Sequence, residues 1–187
     1  MEQWRRVIIP IVLLFFFLLL DGVIVSLFYE SLDVSFGFMT PRLFVLTVIV
    51  LSFFLEPRHM YILSIVFGFI YDSYYSGILG IYIAGLMIIS YFIIQLRNIL
   101  EPNYLTMVLV TIIMLTLLEF LIFGIYRVID LTSLSVQEFI AMRLSASLLF
   151  NTIAIIILAV PLKFSIKLIT LKSKEKSTQS KSRATYR

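Results

Sequence analysis

Four ionisable residues stand inside runs that are otherwise apolar: Asp21, Asp72, Glu119 and Arg143. A charge at bilayer depth is costly, so each of them needs a partner or a water-filled cavity. Three carboxylates and one guanidinium could do three kinds of chemistry. They could form a buried ion pair that fixes helix packing, line a polar pocket for a ligand, or relay protons or ions. The structural pair is the commonest use of such a set. The relay fits least, because pumps usually spread carboxylates through both halves of the membrane. With a rise of about 1.5 Å per residue, Asp21 and Glu119 lie about 10 Å below the outer helix ends. Asp72 and Arg143 lie within about one turn of that surface. All four fall in the outer half, with Arg42 and Arg127 at the outer rim.

Spacing groups these residues with others. Ser64, Gly68, Asp72, Ser76 and Gly80 recur every four positions, which puts small and polar groups on one helical stripe. Arg143, Ser147 and Asn151 repeat the pattern. The expectation is an outer-half polar cluster of Asp21, Asp72, Glu119, Arg143 and Asn151, in which Glu119 or Asp72 neutralises Arg143. Ser76, Gly80 and Ala84 also form a small-xxx-small run that lets backbones approach closely. Packing among the chain's own helices is its ordinary use; docking of a partner's single transmembrane helix is the alternative.

The recognisable catalytic constellations are missing. No glycine-rich phosphate loop, GxSxG elbow or HExxH pair occurs. The chain has no Cys and one His, so thiolate chemistry and a multi-His metal site within one chain are excluded. The intramembrane serines have no His partner, and the loops are too short for a soluble catalytic domain. The reading is a protein that is not an enzyme and carries no cofactor.

The elements that must position the cluster are membrane helices. Of 187 residues, 61% are hydrophobic and 14% charged, against about a quarter charged in soluble domains. That apolar surface needs the bilayer as its solvent. Six candidate spans follow, at 7–28, 36–55, 60–76, 78–96, 104–126 and 139–169, so the fold class is an all-α polytopic membrane protein. No small-x-small cleavage site follows the first run, so it reads as a transmembrane helix that also directs insertion. The aromatic and polar stretch Tyr71–Gly77 reads as a tight turn or a non-helical segment lining a cavity.

Orientation follows from Lys and Arg in short loops. With the N-terminus in the cytoplasm, 12 of the 15 basic residues lie inside and Arg42, Arg127 and Arg143 lie outside. Both termini are then cytoplasmic. Residues 1–171 form the membrane domain. The tail 172–187 is basic, rich in Ser and Thr, and reads as disordered, anchoring topology against anionic lipid. Nucleic acid is a poor partner for it, since no aromatic or folded module accompanies the charges.

The run GFIYDSYYSGILGIYIAG, residues 68–85, resembles the most recognisable stretch of the rod-shape-determining MreD family. There a Gly-apolar-apolar-x-Asp segment precedes a small-residue turn and a Gly-aromatic helix. Glu56-Pro57-Arg58 and Glu101-Pro102-Asn103 look like that family's turns. The resemblance covers roughly residues 7–170. It implies a component of the bacterial cell-wall elongation complex in the cytoplasmic membrane. Such a component binds an MreC-like bitopic protein. Through it the MreB filament connects to a RodA-type polymerase and a class B penicillin-binding protein. The residues carrying the likeness are Asp72 with Gly68, Gly77 and Gly80. The family fold is similar to the substrate-binding subunits of energy-coupling-factor vitamin transporters, which supplies the competing function. Helix one is bulky through its inner part, with small residues only at Gly22 and Ser26, and that favours the scaffold.

Overall fold

The computed structural model describes residues 2–34 and 37–162, with side chains from Val7 onward. Phe36, the last residues of the sixth expected helix, Lys163, Lys167 and the basic tail lie outside the described residues. Helix α1 spans Glu2–Leu32 and loses helical geometry at Phe28. Two short strands follow, β1 (Asp33–Val34) and β2 (Gly37–Phe38), paired antiparallel with Asp33 opposite Phe38. Then come α2 (Leu43–Phe54), α3 (Pro57–Tyr71), α4 (Ile81–Leu96), α5 (Tyr104–Val128) and α6 (Val136–Leu162). Two π-helical turns interrupt this series. Asp72–Ser76 extends α3, and Phe139–Leu144 lies near the start of α6.

This is an all-α membrane protein. Among the described residues, three helical stretches are long and apolar enough to cross a membrane: Val7–Leu32, Tyr104–Val128 and Val136–Leu162. The expected second span, 36–55, is much shorter as a helix. Its 12 residues extend about 18 Å, well under a hydrocarbon core of about 30 Å. The reason is that α2 is not bounded by lipid. Its sequence LFVLTVIVLSFF is apolar on every face, and every residue from Leu43 to Phe53 is buried. A helix hydrophobic all round belongs inside a bundle. Helix α1 is the opposite case: Val12, Phe16, Val23 and Leu27 are exposed, a face suited to lipid.

The expected helices at 60–76 and 78–96 meet at a break rather than a tight turn. Gly77 (φ 72°) and Gly80 (φ 106°) both occupy left-handed backbone, which a side chain would strain. The expected Ser76–Gly80–Ala84 stripe is therefore corrected. Ser76 sits on the π-turn, Gly80 caps α4, and Ala84 lies on the exposed face of α4. Close approach occurs elsewhere. A Cβ on Gly68 would stand 2.8 Å from the Ile83 Cα, so α3 and α4 touch backbone to backbone there.

A short helix enclosed by protein must find partners for its end groups inside the bundle. At the C-terminal end of α2, Arg97, which caps the C-terminus of α4, donates to the carbonyls of Ser52 (3.1 Å) and Leu55 (2.6 Å). The other end builds the site.

Candidate functional site: a buried polar hub and its cavity

The N-terminal flank of α2 is hydrogen-bonded to side chains of two neighbouring helices. Asp21 of α1 accepts from the Leu43 N–H with one carboxylate oxygen (2.8 Å) and from the Phe44 N–H with the other (3.0 Å). Asn151 of α6 accepts from the Arg42 N–H (2.9 Å) and donates to the Thr40 carbonyl (2.8 Å). Ser147, one turn earlier, accepts from the Thr40 N–H (3.0 Å). Asp21 thus acts as a helix cap delivered from another helix, where carboxylate and helix dipole attract.

Arg42 lies at the centre. It is 4% exposed, and its Nε donates to Glu119 of α5 at 2.8 Å. A second guanidinium nitrogen donates to the Tyr71 hydroxyl at 2.6 Å. The guanidinium carbon stands 5.4 Å from the centre of the Tyr82 ring, a cation–π contact. Tyr71 stacks on Phe44 and packs against Tyr82 with ring centres 4.1 Å apart. Every helix from α1 to α6 contributes to this hub.

Asp72 repeats the logic of Asp21 at the start of α4. Buried on the π-turn, it accepts from the N–H groups of Gly80 (2.8 Å), Tyr82 (2.9 Å) and Ile83 (3.3 Å). Gly68 and Asp72 both face the α3–α4 contact, while Gly77 and Gly80 form the exposed break. Among the described residues, no buried side-chain nitrogen or oxygen lacks a partner. Nor does any group of three or more His, Cys, Asp and Glu stand where a metal could bind.

One expected pairing is wrong. Neither Glu119 nor Asp72 neutralises Arg143. Glu119 is taken by Arg42, and Asp72 is taken by the backbone of α4. The error came from beginning helix two at Phe36, which left Arg42 at the rim. Pro41 was the available signal, because proline marks helix starts and the all-apolar stretch begins two residues later. Tyr71 and Tyr82 had no signal beyond being aromatic. Arg143 is half-buried, and among the described residues its side chain makes no hydrogen bond or ion pair.

Next to the hub is a cavity of about 330 Å³. Asp21, Arg42, Tyr71, Tyr75, Tyr126 and Arg143 are among its walls. An open groove of about 920 Å³ adjoins it, sharing Val25, Thr40 and Arg143 and bounded by the β1–β2 hairpin and Met142.

The short enclosed helix, the caps lent between helices and the buried ion pair define a membrane protein whose buried polar groups hold its own helices together. The profile of the rod shape-determining protein MreD matches residues 5–169, and the chain belongs to the MreD family. The Rod shape-determining protein MreD of Bacillus subtilis (strain 168) is 27% identical over 159 residues, covering 85% of this chain and 92% of that relative. No solved structure matches the chain. Its role therefore lies in rod-shape determination, in a family of shape-determining proteins.

Proposed function

We propose that the chain is a non-enzymatic scaffold of the bacterial cell-wall elongation complex, acting through an MreC-like bitopic partner. The observation that carries this reading is how the buried polar groups are used. Asp21, Asp72, Glu119, Arg42 and Asn151 all hold helix ends or each other. A nucleophile with its base, or a relay of carboxylates, would need groups left free, and these are committed. A rigid body with apolar outer helices suits a protein whose work is holding others in place.

In this reading the protein sits in the cytoplasmic membrane with both termini inside. The MreC-like partner links it to the MreB filament, the RodA-type polymerase and the class B penicillin-binding protein. The test is affinity purification of the tagged chain from its native membrane in mild detergent, with mass spectrometry of co-purifying proteins. An MreC-like protein with polymerase subunits is the expected result. A paired ATPase with a small coupling protein would overturn it in favour of the vitamin-importer subunit.

A further inference from the structure

We infer that the cavity beside the hub is a binding site for a phosphate-bearing amphiphile, with Arg143 as its anion ligand. Three observations converge on it. The first is the state of the charges. Asp21 is committed to two backbone N–H groups and Arg42 is paired with Glu119. Arg143, on the same wall and half-buried, makes no side-chain hydrogen bond or ion pair among the described residues, while Asp21 shares its cavity, Asp33 its groove and Glu119 a small neighbouring pocket. Its planar fork matches the oxygens of a phosphate group.

The second observation is the backbone. Both π-helical turns open onto this cavity, one supplying Tyr75 and Ser76 and the other Arg143. Such turns re-aim side chains and are frequent at functional sites. Gly22 is shaped to the same end: a Cβ there would collide with the Tyr75 hydroxyl. That hydroxyl donates to the Leu18 carbonyl and holds the ring at the cavity edge.

The third is the way in. The adjoining groove is lined mainly by apolar residues, among them Val25, Val34, Phe38, Leu134 and Met142, with Asp33 also on its wall and Arg143 where it meets the cavity. A head group on Arg143 would leave an acyl tail lying along an apolar channel. The cavity has the size of a small ligand site, and its walls combine tyrosine rings with charged and hydroxyl groups that can fix a polar head group.

Two sources could supply the phosphate, a membrane lipid or a soluble phosphate compound. The experiment uses the full chain in neutral detergent, stripped of native lipid. It is titrated with a short-chain phosphatidylglycerol, with the matching uncharged diacylglycerol and with inorganic phosphate, and binding is read by native mass spectrometry and calorimetry. The expected result is saturable 1:1 binding of the phosphatidyl lipid, weakened at least about tenfold by Arg143→Gln (about 1.4 kcal/mol) and absent for the diacylglycerol. Inorganic phosphate binding with the same Arg143 dependence, without lipid binding, would keep the anion site and overturn its assignment to an amphiphile. Val25→Trp, on the wall shared by cavity and groove, leaves Arg143 intact and should also abolish lipid binding. It keeps the test open if Arg143→Gln does not fold. Equal binding of diacylglycerol, indifference to Arg143→Gln and Val25→Trp, or no saturable binding of either phosphate probe would overturn the inference.

Discussion

Replacing Arg42 by Met should be among the most damaging single changes in this chain, and replacing Glu119 as well should largely repair it. The pair is nearly dry, with side-chain exposures of 5% and 2%. Removing one partner strands the other charge in a low-dielectric interior, which costs about 3–5 kcal/mol. Arg42→Met alone therefore loses about that much, as does Glu119→Leu alone. Replacing both with apolar residues of similar volume removes both charges, and such replacements are often neutral or stabilising. What remains in the double variant is the Tyr71 hydroxyl, deprived of its donor, at about 1–3 kcal/mol. The double variant should thus be more stable than either single, with a coupling of at least about 3 kcal/mol in the cycle. Reversible unfolding in mixed detergent micelles measures all four proteins. Arg143→Met, which removes no ion pair among the described residues, should cost under about 1 kcal/mol. If the two single losses simply add, or if Arg143→Met matches Arg42→Met, the assignment of Glu119 to Arg42 is refuted.

Asp21→Ala orphans the Leu43 and Phe44 N–H groups, at about 1–3 kcal/mol each, while Asp21→Asn keeps an acceptor and should lose less. Hydrogen exchange at those two amides distinguishes the variants, and unchanged protection in Asp21→Ala would count against the cap. Asp72→Ala should fray the first turn of α4 and lower the folded abundance of the chain in membranes, read by fluorescence-detected size exclusion. Unchanged abundance and unchanged cell shape would dismiss its structural role. Gly68→Ala forces α3 away from the Ile83 backbone and should cost about 1–3 kcal/mol, whereas Ala84→Leu on the exposed face should change the melting temperature little. The reverse order would show that the small residues at 76, 80 and 84 form the true contact.

Composition alone settled the class of this protein. With 61% hydrophobic residues, the chain cannot hide its apolar surface without lipid. The segment at residues 68–85 carried the family, and the four-residue period carried Asp72 and Asn151 to buried positions. Asp21 and Glu119 were legible as buried for the same elementary reason, since a charge in an apolar run must turn inward. Period and depth describe one helix at a time, however. They state which face a residue takes, not which neighbour meets it. That Arg42, and not Arg143, reaches Glu119 depends on α2 starting at Leu43 and passing through the middle of the bundle. That Asp21 and Asp72 use their charge on backbone N–H groups depends on the start of α2 being enclosed by other helices and on the π-turn holding Asp72 against the first turn of α4. Only the packed fold brings those helix ends to those carboxylates, because a side chain's partner is set by three-dimensional neighbours that sequence spacing does not encode.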